Sequence, residues 1–183
     1  MHDYLKNLVS KNSNLIAFYF VWNDFELPDS IFKGIKWHRH SNEPNYDYES
    51  EKCEKFIDFI CEKKLPVIIE EEFKNTVKFI KRIDGRTKII IPHLGFLNGG
   101  YERLKSEGIF AEPNIYADSA LADTYEIEDF AKNFGIEKLF FGSDFPFGSP
   151  KMELQKIKNI FGENSKEFKK ITFENILKLI NYK

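Results

Sequence analysis

Residues 140–147 read FFGSDFPF. The segment begins in a short apolar run, KLFFGSD (138–144), and turns through glycine and serine to a carboxylate before Pro146 stops any strand or helix. A run this short, continuous rather than alternating, and rich in aromatic residues predicts a strand buried on both faces. Asp144 then stands at its C-terminal end. In parallel α/β proteins, sites form beyond the carboxyl ends of the strands.

Five further runs have the same character: NLIAFYFVW (14–22), GIKWH (34–38), LPVIIE (65–70), TKIIIPH (87–93) and NIYADSA (114–120). Helical stripes lie between most of them. Cys53, Phe56, Ile57, Ile60 and Cys61 share one face; Phe73, Thr76, Val77, Ile80 and Ile83 another; Ile127, Phe130, Ala131 and Phe134 a third. Gly85, Gly108 and Gly135 sit where helices end on a left-handed residue. Strand and helix alternate, which predicts a parallel sheet with right-handed crossovers. Residues 23–33 contain Pro28 and read as a loop with about one turn of helix at most. A helix near 151–161 follows the sixth strand, then one or two more, with Asn164 or Ser165 and then Thr172 as N-caps. No linker or low-complexity tract interrupts residues 1–183, which read as a single α/β domain.

Composition narrows the classes of function. Hydrophobic residues make up 42% of the 183, enough for a real core, and 19 phenylalanines make that core aromatic. The net charge is -2 and no basic stretch stands apart from acidic neighbours, which argues against nucleic acid. No apolar run approaches the ~20 residues of a membrane span. The first residues, MHDYLKNLVSKN, lack the apolar centre of a signal peptide, and His2 is expected to be disordered. Cys53 and Cys61 lie on one helix, ~12 Å apart at ~1.5 Å per residue, too far to bridge. Free thiols favour the cytoplasm.

The strand ends hold the candidate chemistry. The second run ends in His38, with His40 just beyond, and carries Lys36 as a candidate buried cation. The third ends in Glu70, Glu71 and Glu72, the fourth in His93, the fifth in Asp118 and Ser119, the sixth in Ser143 and Asp144. The chain has 4 histidines, and three occupy these positions, a concentration beyond chance. A divalent metal takes about four His and carboxylate ligands and brings its bound water to a pKa of ~7; a nearby His or carboxylate then moves the proton. Each position also has a plainer reading. Asp144 can cap a helix, His93 can be a bonded core histidine, Glu70 can belong to a solvated acidic loop, and His38 and His40 can be pocket-wall residues. Nucleophilic catalysis has less support: the thiols lie on a helix and no G-x-S-x-G elbow occurs. GFLNGG (95–100) matches no phosphate-loop pattern.

Four blocks taken in order, GIKWH (34–38), LPVIIE (65–70), IIIPHLG (89–95) and FGSDFPF (141–147), with the closing ITFENILKLI (171–180), resemble the amidohydrolase superfamily, in its branch of TIM-barrel metal-dependent hydrolases and decarboxylases. The likeness implies a parallel (β/α) barrel-like sheet, a truncated TIM barrel with about six strands. It implies that Asp144 is a metal ligand that also handles protons. It implies that His93 is a ligand or an acid/base group, and that Glu70 stands where the family has a ligand histidine. One divalent ion, zinc by preference, would be held by Glu70, Asp144 and His93. Lys36, His38, His40 and Asp118 would line the substrate. The family opens with an H-x-H pair on its first strand. His38-Arg39-His40 has that spelling on the wrong strand, and by block alignment the six runs match the family's third to eighth strands.

Strands 14–22 and 138–144 would then be exposed apolar edges. A partner subunit, the N-terminal helix or a rearranged closure must cover them, and the expectation is a homodimer. The leading expectation is a metal-dependent hydrolase, or a decarboxylase, acting on a small carbonyl or amide substrate. The alternative is a non-catalytic remnant or complex subunit that binds a small molecule or partner at the old site. A third is a fragment of a longer product.

Overall fold

The computed structural model describes residues 2–39 and 45–180. All six expected strands form, each inside its apolar run: β1 Tyr19–Phe20, β2 Ile35–His38, β3 Val67–Glu70, β4 Ile89–Ile91, β5 Ile115–Asp118 and β6 Leu139–Phe140. The helices are α1 His2–Lys11, α2 Glu51–Glu62, α3 Phe73–Ile83, α4 Tyr101–Ser106, α5 Thr124–Phe134, α6 Pro150–Phe161, α7 Lys166–Lys169 and α8 Asn175–Leu179. The chain divides into two compact units, Met1–Lys88 and Ile89–Lys183.

In the first unit β1, β2 and β3 pair in parallel in chain order, with Ile35 opposite Val67 and His38 opposite Glu70. Side chains alternate along a strand, so Ile35 and Trp37 share one face of β2 and Lys36 and His38 the other. Trp37 is fully buried, with its ring 4.8 Å from Phe79 of α3, 6.1 Å from Phe56 of α2 and 4.7 Å from Tyr46. The abundant phenylalanine does build an aromatic core. Ser50 caps α2 by accepting the Cys53 N–H, and residues 23–33 contain no helix. Cys53 and Cys61 are free and buried on α2. His2 is not disordered: it sits in α1, its ring stacks on Tyr19 at 4.0 Å, and its Nε2 bonds the Phe20 carbonyl at 2.9 Å. The stacking area and the free carbonyl of β1 fix a residue that composition alone leaves undirected.

In the second unit β4, β5 and β6 are parallel and again follow chain order. Ile89, Ile90 and Ile91 are all buried. Phe110 centres a second aromatic cluster with Tyr101, Phe130 and Phe134. A capping box between Asp123 and Glu126 starts α5. Gly85, Gly108 and Gly135 all take positive φ as expected.

Ser165 is the N-cap of α7. Thr172 caps nothing. It lies in a π-helical stretch, Lys170–Glu174, and its hydroxyl donates to the Phe168 carbonyl, because helix continues through it from α7 to α8. This closing segment lies on β6. The Phe141 N–H donates to the Ile171 carbonyl at 2.9 Å, and the Asn175 amide donates to the carbonyls of Ile136 and Leu139 at 2.8 and 2.9 Å. The Phe20 carbonyl of β1 and the Leu139 carbonyl of β6 are thus each engaged by a side chain from a helix of the same unit. Among the described residues no helix is long and apolar enough to cross a membrane.

Two predictions follow from these contacts. Asn175→Ala leaves two inward carbonyls without their donor and lowers stability by about 1–3 kcal/mol, read from urea denaturation midpoints. Burial pushes the Cys53 thiol from 9.0 up to about 11, so it stays protonated at neutral pH. Native protein is expected to react with a thiol reagent far more slowly than urea-unfolded protein. Because the folded thiol binds its proton more tightly, the stability this provides is complete below pH 9.0 and is lost toward about 11.

Candidate functional site

The strand-end residues gather into two groups, one in each unit. In the second unit the group forms where the chain leaves β4, β5 and β6. β4 has no polar residue, and Pro92 ends it by removing a ladder donor. His93, Leu94 and Gly95 follow with φ of 55°, 47° and 91°. Two consecutive non-glycine residues in left-handed backbone cost of order 1–3 kcal/mol each and persist only where their surroundings impose them. His93 is buried at 3% exposure. Asp144, beyond β6, is also left-handed, with φ 47°. Its side chain is part-exposed, and its Oδ2 stands 3.9 Å from His93 Nδ1. That is too long for a direct hydrogen bond. A buried imidazole facing a half-exposed carboxylate can hold and move a proton.

At Asp118, the last residue of β5, Oδ1 accepts the backbone N–H of His93 and of Ala120, each at 3.0 Å, which ties this half-buried carboxylate to the turn that carries His93. Beyond β5, Leu121 is again left-handed, and its N–H donates to Glu153 of α6 at 3.1 Å.

In the first unit Lys36, His38 and Glu70 come together on one face of β2 and β3. Lys36 Nζ donates to Glu70 Oε2 at 2.7 Å, and His38 Nε2 meets Glu70 Oε1 at 2.8 Å. Both carboxylate oxygens of Glu70 are thus taken by cationic or donor groups. Glu70 and Glu71 are 3% and 1% exposed, so neither belongs to a solvated loop, whereas Glu72 is exposed. Sequence reasoning missed the role of Glu71. It accepts from the Tyr48 hydroxyl at 2.6 Å and from Asn75 Nδ2 at 3.1 Å, and Tyr48 in turn accepts from Trp37 Nε1 at 3.0 Å. Burial, then the bond to Glu71, holds the Tyr48 phenol protonated far above its ordinary range. The three-glutamate run carries no signal that would separate these members. His40 lies outside the described residues.

The expected ligands were tested against the donors a divalent ion needs. Among the described residues no three His, Cys, Asp or Glu side chains are placed to hold a metal. His93 and Asp144 make a pair, whereas Asp118 and Glu70 are engaged as described. The residues described here do not by themselves fit the ion.

The geometry was then set beside known proteins. A sequence profile described as Amidohydrolase matches residues 27–181. None of the curated proteins matches significantly. Among solved structures, amidohydrolase 2 from Bifidobacterium longum subsp. infantis superposes with a TM-score of 0.72 at 18% identity, over 99% of this chain and 76% of that one. An amidohydrolase from Burkholderia multivorans with bound zinc gives 0.74 at 13% identity, over 98% and 78%. A dihydroxybenzoic acid decarboxylase from a Polaromonas species, with bound manganese and an inhibitor, gives 0.69 at 15% identity, over 98% and 73%. At these identities the likeness is one of fold, and it bears out the parallel α/β architecture expected from the apolar runs.

The ion pair of the first unit is expected to be structural. Lys36→Met leaves buried Glu70 without its ammonium partner and lowers stability by about 1–3 kcal/mol, read from the unfolding midpoint. Adding Glu70→Gln to that variant removes the stranded charge and recovers part of the loss. A midpoint unmoved by the single change would show that the pair holds nothing.

Proposed function

This chain belongs to the amidohydrolase family, and from that premise we propose that it acts on a small substrate built around a carbonyl, amide or carboxylate group. The proton is moved by His93 and Asp144. The observation that carries this is their approach of 3.9 Å at the ends of β4 and β6, with one member buried and the other open to solvent. The buried imidazole stays oriented while a substrate atom enters on the side of the half-exposed carboxylate. Asp144 Oδ2 takes a proton from the attacking or reacting group, and His93 Nδ1 holds or returns it. A dyad of this kind contributes about 10²–10⁴-fold to a proton-transfer step.

The finer reading adds one divalent ion, zinc by preference, and hydrolysis by water activated on it. Zinc and manganese in the related structures support an ion here. The described residues supply two of the donors it needs. A second reading, a non-catalytic remnant that binds a small molecule or partner, draws support from Glu70. Where the family resemblance places a ligand, this chain has a carboxylate bonded to Lys36 and His38. The proposal includes a cytoplasmic protein, consistent with two free thiols, and a homodimer. The dimer is supported by exposed apolar side chains such as Phe145 at 74% and Phe147 at 85%, and light scattering at micromolar concentration tests it.

Turnover of 2,6-dihydroxybenzoate, for decarboxylation, and of p-nitrophenyl acetate, for attack at a carbonyl, tests the dyad. His93→Gln and Asp144→Asn are each expected to lower kcat/KM by about 10²-fold or more. Equal turnover in both variants and the parent would end this reading. Metal analysis of the same preparations decides the ion's part: a stoichiometric ion released by Asp144→Asn adds it. A metal-free, inactive protein whose stability chelation leaves alone points to the remnant.

A further inference from the structure

We infer that Asp118 is a positioning residue, whose carboxylate wedges between the turn bearing His93 and the segment bearing Asp144 and so sets their separation. The inference deepens the proposed function and rests on it for its catalytic consequence. Two contacts of one carboxylate oxygen argue for it. Oδ1 accepts the N–H of His93 at 3.0 Å, the first residue of the left-handed stretch. The second acceptance, from Ala120 at 3.0 Å, locks the carboxylate to its own strand end. Gly142, two residues before Asp144, approaches the same oxygen. A Cβ built on Gly142 would stand 2.7 Å from Asp118 Oδ1 and 2.8 Å from its Cγ. Here glycine is required by close approach rather than by backbone conformation, because only a residue without a side chain lets the β6 end lie against the carboxylate.

Physical chemistry gives this arrangement its consequence. An oxygen that is acceptor to the His93 amide and van der Waals neighbour to the Gly142 backbone couples two chain segments that share no covalent path nearby. Moving the carboxylate moves the donor turn and releases the Gly142 backbone. The left-handed backbone at His93 and Leu94 is unfavourable by itself, so a turn deprived of its acceptor is expected to relax. The imidazole would then leave the face of Asp144. A carboxylate is not needed for this; a neutral amide oxygen at the same place accepts the same bonds.

Three variants test the inference: Asp118→Ala, Asp118→Asn and Gly142→Ala. Amide hydrogen exchange at His93 reads the turn without reference to any activity. Asp118→Ala is expected to speed His93 exchange by about tenfold or more, while the amides of Ile89 and Ile115 keep their protection. Asp118→Asn keeps the oxygen and is expected to recover most of that protection. Gly142→Ala drives a methyl group into the carboxylate and is expected to loosen His93 as Asp118→Ala does, which keeps the test decisive should the alanine variant at 118 fail to fold. In the turnover assays Asp118→Ala lowers kcat with KM within about twofold, as expected for lost orientation of a reacting group, and Asp118→Asn restores it. His93 exchange unchanged in both Asp118→Ala and Gly142→Ala overturns the inference. So does faster exchange with undiminished kcat. If the parent turns over neither substrate, the proposed function fails for these probes, and the exchange arm still decides whether Asp118 holds the turn.

Discussion

β4 is three isoleucines, all buried, and this leaves the chain without a polar outlet until the strand is over. The turn after it must satisfy its freed backbone donors beside that buried strand. Proline stops the ladder, and His93, Leu94 and Gly95 follow in left-handed backbone. Such a turn cannot stand on propensity. It stands because a carboxylate from the neighbouring strand accepts its first N–H. That bond holds the first residue of the turn, and with it the backbone that carries the imidazole.

The first unit solves a related problem by different means. Its strand ends bring two glutamates into nearly dry surroundings, where an unpaired carboxylate would be costly. Glu70 is met by an ammonium and an imidazole, and Glu71 by a phenol, an amide and a backbone N–H. Tyr48 connects Glu71 to the fully buried Trp37, so the polar ends of the strand are tied to the aromatic core that supports it. Charge at a strand end therefore has two distinct uses in this protein. In one unit it is neutralised and fixed. In the other it is left half-open opposite a histidine.

What the sequence made legible is what periodicity encodes. The six apolar runs contain the six strands, and the stripes at 53–61, 73–83 and 127–134 fall on α2, α3 and α5, because burial on one or both faces is written directly into residue order. The place of Asp144 and His93 just past a strand was legible for the same reason, since each stands at the end of such a run. The partner of each polar group was not. Glu70, Glu71 and Glu72 are chemically identical in a sequence, and only the register that sets His38 opposite Glu70 distinguishes them. Asp118 looked like an open carboxylate because its partner is a backbone N–H, which every non-proline residue has. Thr172 looked like an N-cap because a threonine inside a continuing helix has the same letter as one that starts it.

These distinctions bear on how an amidohydrolase fold relates to its chemistry. The fold is specified by buried apolar runs and survives at 13–18% identity to the structures it resembles. Chemistry at a strand end depends on how each polar group there is engaged. Glu70 shows the difference at one position. It has the right chemistry for a ligand, and it occupies the end of a buried strand, yet both of its oxygens serve the ion pair. His93 and Asp144 lie at 3.9 Å, where neither is committed to the other by a hydrogen bond. A pair held near one another by backbone, rather than locked by a direct bond, can exchange a proton with a third group that enters between them. The backbone that imposes this spacing, left-handed at both residues and braced through Asp118 and Gly142, belongs to the site as much as the two side chains do.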